Sequence, residues 1–178
     1  MRSVALFIAM SLDGYIADTN GGVAWLEGQE AAGEDGEDAY AQFIKDVDTV
    51  VMGRKTYDQI ITELSPKQWP YDGLLCYVIT HKKESSTEEI HFTGEDPCAL
   101  IRRLLREEGK TIWICGGASI VQSLLREDLV DQFSISVIPI ILGGGIRLFE
   151  DVGKEARLRF VKSEGRGGIL TLTYKRQT

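Results

Sequence analysis

The chain alternates short apolar runs with amphipathic stretches and glycine-rich joints, and this order is its strongest signal. Residues 4–9 are apolar at six consecutive positions, which reads as a strand buried on both faces. A glycine-rich stretch through Asn20, Gly21 and Gly22 follows, then an acidic loop. Over 39–45, apolar Tyr40, Phe43 and Ile44 recur at helical spacing, with Asp38 placed to cap the helix start. The runs 49–52, 74–80 and 111–115 predict further buried strands, and 56–63, 98–108 and 118–125 predict helices. Pro97 stands where a helix begins, and Gly109 is expected to end that helix in a left-handed cap. A long strand is predicted over 132–141. Residues 157–161 and 169–174 predict a hairpin closed by a turn at 165–168.

Strands alternating with helices predict a three-layer α/β fold, a mostly parallel central sheet with helices on both faces and a C-terminal antiparallel hairpin. In such sheets ligands bind at the carboxyl ends of the strands. The residues just after each strand are therefore the places to look for chemistry.

Composition narrows the picture. With 178 residues, 43% hydrophobic and 26% charged, the chain is of ordinary globular make-up and suits one domain over 1–178. Apolar runs of six residues fall far short of the ~20 needed to span a bilayer. Met1-Arg2-Ser3 leads straight into the first strand with no small-residue cleavage site, so a cytoplasmic protein is expected. The net charge is −7. Residues 3–44 hold Asp13, Asp18, Glu27, Glu30, Glu34, Asp35, Glu37 and Asp38 and no Lys or Arg, while the rest is close to neutral. No basic stripe exists to meet phosphates of a nucleic acid, so neither nucleic acid nor membrane is an expected partner. Cys76, Cys98 and Cys115 form no C-x-x-C pair, and with only His81 and His91 no zinc cluster is expected.

Two strand-to-helix joints are built for an anion. In Met52-Gly53-Arg54-Lys55-Thr56 a strand ends, a glycine turns and a helix begins, with two cations and a hydroxyl at its start. The first N–H groups of a helix have no partner within it, and its dipole favours negative charge there. In Cys115-Gly116-Gly117-Ala118-Ser119-Ile120 two glycines let a phosphate approach the backbone. Each joint alone also reads as a tight turn or as close helix-on-sheet packing. A third strand ends in Thr80-His81-Lys82-Lys83, which reads either as a solvated basic turn or as a seat for a phosphate on the adenosine side of a dinucleotide. Gly143-Gly144-Gly145 lacks a following helix and reads as a turn.

Taken in order, Ile8-Ala9-Met10-Ser11-Leu12-Asp13-Gly14-Tyr15-Ile16-Ala17, Trp25, Met52-Gly53-Arg54-Lys55-Thr56-Tyr57, Trp69-Pro70, Ile79-Thr80-His81, Gly116-Gly117-Ala118, Pro139, Gly143 and Leu148-Phe149 resemble the dihydrofolate reductase fold. The chain is most similar to its riboflavin-biosynthesis branch, the RibD C-terminal domain and its stand-alone bacterial relatives. The resemblance covers nearly the whole chain. It implies an NADPH-dependent reductase acting on a small heterocyclic or sugar-derived substrate, such as a 5-amino-6-(5-phosphoribosylamino)uracil or a related pterin or pyrimidine, and often a homodimer. It implies that Ala9, Ile16 and Ala17 flank the nicotinamide, and that Gly53, Arg54, Lys55 and Thr56 bind the phosphate side. Thr80, His81 and Lys82 would seat the adenosine-ribose phosphate, and Gly116, Gly117, Ala118, Ser119 and Ile120 the pyrophosphate. Residues 11–37 would form a lid, with Trp25 either closing over the substrate or belonging to the core.

Two departures shape the expectation. Folate reductases place an arginine after the glycine that precedes the third strand, and here Leu74 follows Gly73, which disfavours a true dihydrofolate reductase. The helix position of their catalytic acid falls on Ala39, which leaves Asp38, Glu37 and Asp13 as candidate proton donors. Asp38 also reads as a plain cap and Asp13 as a turn former. A non-catalytic NADPH- or nucleotide-binding module is the alternative. The zinc-deaminase signature of the bifunctional riboflavin protein is absent.

Overall fold

In the computed structural model, which describes residues 2–27 and 39–177, the elements are β1 (Val4–Ser11), β2 (Tyr15–Ala17), α1 (Ala39–Ile44), β3 (Val47–Gly53), α2 (Arg54–Gln59), β4 (Leu75–Ile79), β5 (Ile90–Thr93), α3 (Pro97–Leu104), β6 (Thr111–Gly116), α4 (Ala118–Arg126), β7 (Gln132–Ile138), β8 (Ile146–Arg147), β9 (Leu158–Arg166) and β10 (Ile169–Arg176). A single 3₁₀ turn covers Ala24–Leu26, and α2 runs on into a π-type turn, Ile60–Leu64.

Eight strands form one sheet in the order β5-β4-β3-β6-β1-β7-β10-β9, and β2 pairs with β8 in a small separate ribbon. The first six are parallel, and β10 joins β7 and β9 in antiparallel fashion. The expected mostly parallel sheet with a C-terminal antiparallel hairpin is the sheet observed.

Alternate strand residues feed two cores, as the period of two dictates. On one face Leu6, Ile112 and Ile114 meet Leu100, Ile101 and Leu104 of α3 and Val121 and Leu124 of α4, all fully buried. On the other, Val50, Met52, Val78 and Trp113 meet the aromatic side chains of α1 and α2. Arg2 is buried at the amino end of the sheet, where it pairs with Asp48 and donates to Thr49 Oγ1 at 2.6 Å and to the Lys110 carbonyl at 3.1 Å.

Several boundaries differ from the sequence expectation, each for a local reason. The third helix stops at Leu104 instead of running to 108, because Arg106 and Glu107 donate to Arg103 and Leu104, three residues back, tightening the last turn. Gly109 therefore caps nothing. Its φ is +153°, and a Cβ there would stand 2.5 Å from Asp48 Oδ2 and 3.0 Å from the Arg2 guanidinium, so the glycine makes room for that ion pair. The strand expected over 132–141 ends at Ile138, where Pro139 has no N–H for the ladder. The hairpin strands run longer than expected, and Gly167 and Gly168, both with positive φ, make the turn. Strands β2, β5 and β8 have no counterpart in the sequence reading.

Candidate functional site

Strands β3 and β6 are neighbours, and both hand the chain to a helix at the same end of the sheet. Met52 sits opposite Gly116 across the ladder. From Gly53 the chain enters α2 on one face, and from Gly117 it enters α4 on the other. The two helix starts interlock. A Cβ on Gly116 would stand 3.6 Å from Thr56 Oγ1 in the first turn of α2, and one on Gly53 would stand 3.4 Å from Ile120 Cδ1 in the first turn of α4. The end of β1 closes the third side, with Ile8 Cδ1 at 4.0 Å from the same Gly116 position.

Neither helix start is blocked by its own cap. Glycine N-caps supply no capping side chain at α2 or α4, whereas Asp96 closes α3 by accepting from the N–H groups of Cys98 and Ala99 at 3.0 Å each. At α4, Ile120 and Val121 donate to the Gly117 carbonyl. The earlier N–H groups, of Ala118 and Ser119, have no acceptor within the helix. The Gly116–Gly117 peptide bond is cis. Two amide-rich helix starts, the Thr56 hydroxyl and the exposed Lys55 form a donor set whose chemistry fits a diphosphate.

The remaining expected cofactor residues lie on β1, on β2 and in the turn after β4. Ala9 pairs with Ser136 near the end of β1. Ile16 packs on the core with Ile8 and Met10. Ala17 is buried, and a Cβ on Gly145 would overlap its carbonyl oxygen. The triple glycine thus does more than turn: it lets Gly144 and Gly145 press on residues 17–19. Thr80 is buried, donates its N–H to Thr93 at 2.8 Å and accepts from the Lys82 N–H at 3.1 Å, while His81 and Lys82 stand in solvent. Arg54 reaches across to this turn, pairing with Asp58 through Nε at 2.7 Å and with Glu84 through Nη1 at 2.5 Å. Glu84 escaped the sequence reading, since an acid at the end of a basic turn carries no spacing signal.

Asp13, a candidate proton donor that also reads as a turn former, is held by three donors. Its carboxylate accepts from Ser11 Oγ at 2.7 Å, Gly143 N at 2.8 Å and Leu142 N at 3.1 Å. Desolvation pushes its pKa up, but these donors outweigh it and hold the carboxyl below its ordinary value. Through these bonds Asp13 is a clamp joining the end of β1 to the glycine turn. The other two candidate acids, Glu37 and Asp38, lie outside the described residues, as do residues 28–37 of the expected lid. The described half of that loop is tied down: Asp18 folds it by accepting from Asn20 N and Gly22 N at 2.8 Å, and Gln59 Nε2 donates to the Gly21 carbonyl at 3.2 Å. Trp25 is half-buried in its 3₁₀ turn, with an indole N–H that is buried and unpaired among the described residues.

An aromatic wall lines the α1 and α2 side. Trp69 contacts Tyr57 and Tyr71, and Tyr71 contacts Trp113, at centroid distances of 5.1–5.7 Å; Trp113 in turn meets Tyr40 and Phe43 at 5.8 and 5.7 Å. Tyr71 also shares a contact of 3.5 Å with Cys115 Sγ. Burial pushes the Cys115 thiol up to about 11, the contact with Tyr71 only partly opposing it. Burial likewise pushes Cys76 up to about 12. Neither is a thiolate at neutral pH. Leu74 is half-buried against the same core, an apolar contact where a carboxylate grip would need a cation. Among the described residues no group of three His, Cys, Asp or Glu is placed to hold a metal, and no helix is long and apolar enough to cross a membrane.

The chain is 40% identical over 176 residues, 98% of either chain, to the uncharacterized protein YwjB of Bacillus subtilis (strain 168), and 28% identical to YyaP of the same organism over 97% of this chain and 94% of that one. The crystal structure of the "Putative riboflavin biosynthesis protein" of Shewanella sp. PV-4 superposes with a TM-score of 0.83 at 30% identity, covering 99% of both chains. A diaminohydroxyphosphoribosylaminopyrimidine deaminase/5-amino-6-(5-phosphoribosylamino)uracil reductase of Thermotoga maritima shares the fold, with a TM-score of 0.68 at 16% identity; this chain spans 57% of its length. Residues 2–172 match the profile of the RibD C-terminal domain. On that match and the 40% identity across almost its whole length, the chain belongs to the RibD C-terminal domain family.

Proposed function

We propose that this protein is an NADPH-dependent reductase that passes a hydride to a C=N or C=O carbon of a small heterocyclic or sugar-derived substrate. The observation that carries the reading is the interlock of the two uncapped helix starts, Thr56 against Gly116–Gly117 and Ile120 against Gly53. Family membership supports it, because the T. maritima protein that shares the fold is described as a reductase.

A bound nicotinamide dinucleotide supplies the hydride; the protein supplies position and a dry cleft. The N–H groups at the starts of α2 and α4 and the Thr56 hydroxyl would hold the diphosphate. Ala9 and Ile16 would hold the nicotinamide. Half-buried Tyr40 and Tyr71, backed by buried Trp113, would give a planar substrate an apolar face. The proton for the second substrate atom would come from Asp38, Glu37, Asp13 or water.

The test is titration of the purified protein with NADPH, followed by nicotinamide fluorescence. It is paired with NADPH oxidation on a panel of pterins, aminopyrimidine ribitol precursors and simple carbonyls. Saturable binding with turnover on one of these is expected. No binding at near-millimolar NADPH would overturn the reading, and binding without turnover on any compound would make the protein a nucleotide-binding module instead. The reading includes a homodimer, which light scattering after size exclusion measures directly.

A further inference from the structure

Arg54 is the cation best placed to meet a phosphate beside the start of α2, and it is already engaged. Its side chain is about one-fifth exposed, and two carboxylates hold it. Asp58 lies one turn further along the same helix, so that contact is local. Glu84 comes from the exposed turn after β4, thirty positions away in sequence, and bridges that turn to α2 at 2.5 Å. Tyr57 lies beneath, with the guanidinium 5.9 Å from its ring centre. An arginine meets a carboxylate and a phosphate through the same N–H donors. Two anions cannot take the same donors at once.

We propose that Glu84 sets the preference of this chain between phosphorylated and unphosphorylated dinucleotides by occupying the Arg54 donors that a ribose phosphate would use. The proposal rests on the dinucleotide reading above. A cofactor without the extra phosphate leaves the Arg54–Glu84 pair intact. One that carries it competes with Glu84 for the Arg54 Nη1 donors or binds beside it through Nη2, and in either case the carboxylate stays on the neighbouring turn, where it repels the dianion. Exposed Lys55, His81, Lys82 and Lys83 still attract that phosphate, so Glu84 tunes the discrimination and does not create the site. No feature of the sequence alone announces this, because the two partners meet only when β3 and β4 pair.

The experiment measures dissociation constants for NADPH and NADH by fluorescence titration on the wild type, Glu84→Gln, Arg54→Ala and the double variant, with thermal midpoints to confirm folding. Glutamine keeps a carbonyl for Arg54 and removes the charge, so Glu84→Gln is expected to tighten NADPH about fivefold and to leave NADH within about twofold, in keeping with one exposed charge pair. In the Arg54→Ala background the Glu84→Gln gain is expected to vanish. Equal changes for both cofactors, no change for either, or an undiminished gain without Arg54 would overturn the proposal while the dinucleotide reading stands. If no variant binds either cofactor, the reading and the proposal fall together.

Discussion

The Thr56 hydroxyl lies 3.6 Å from where a Cβ on Gly116 would stand, so the first turn of one helix and the hinge before another share a single gap. On the dinucleotide reading a diphosphate would take up that gap and leave little room for a side chain on its rim. Two glycines on its rim need their smallness for different reasons. Gly116 has a φ of +145°, which L residues rarely adopt, whereas Gly117 has an ordinary φ of −69°.

Substitution at these two positions should therefore separate folding from binding. Gly116→Ala should destabilise the protein by about 1–3 kcal/mol, the usual cost of a side chain in such backbone. Gly117→Ala, whose new methyl would meet Thr56 Oγ1 at an ordinary 3.8 Å, should leave the urea midpoint unchanged and weaken NADPH at least tenfold. Both are read from urea melts and cofactor titration. A Gly117→Ala protein with wild-type affinity would remove Gly117 from the phosphate contact.

The glycine turn makes a similar contrast. A Cβ on Gly145 would overlap the backbone oxygen of Ala17, at a φ of +138°, while one on Gly144 would meet only the Thr19 methyl at 3.6 Å. Gly145→Ala should cost about 3 kcal/mol or more, since neither backbone can yield cheaply, and Gly144→Ala less than about 0.5 kcal/mol. Chemical denaturation of both variants checks the pair.

Asp13 gives a pH signature. Its pKa is lowered in the folded state, so the stability it contributes is present above its ordinary value of 3.8 and is lost as the pH falls through the lower, folded value. Wild type and Asp13→Asn should differ in urea midpoint at pH 6 and converge below pH 3. If the account of the clamp is right, the pH profile of NADPH oxidation should keep its shape in Asp13→Asn; loss of one limb of that profile would return Asp13 to the role of proton donor.

Cys115 and Cys76 work in the opposite direction. Burial raises both thiols, so the stability they confer is full below about pH 9, where an unfolded chain's thiols ionise, and is lost as the pH climbs towards about 11 and about 12. Cys115→Ala should flatten part of the alkaline loss of stability. Both thiols should react with a thiol reagent at pH 8 only after unfolding.

The parts legible in the sequence were those with local causes. Residues 4–9 and 112–115 are continuous apolar runs because both faces of β1 and β6 are covered, and the joints at Gly53 and Gly116 show themselves because a strand, a glycine and a helix start adjoin in sequence. β5 was invisible because Ile90–Thr93 is four half-buried residues, including His91, that pair only through β4. β2 and β8 are shorter still and depend on each other across 130 positions. The clamp role of Asp13 and the grip of Glu84 on Arg54 also depend on distant partners, and no periodicity records them. The extra length of β9 was missed because its apolar Phe160 and Val161 give way to charged Lys162 and Glu164, which a single-strand reading takes for a turn.

The most direct measurement of the central claim is a crystal structure of the protein with NADPH. The account predicts the diphosphate lodged between the amide groups that begin α2 and those that begin α4, within hydrogen-bond reach of Thr56, with the nicotinamide beside Ala9. Density that places the diphosphate away from both helix starts, or a crevice in which they are plugged by side chains, would contradict it.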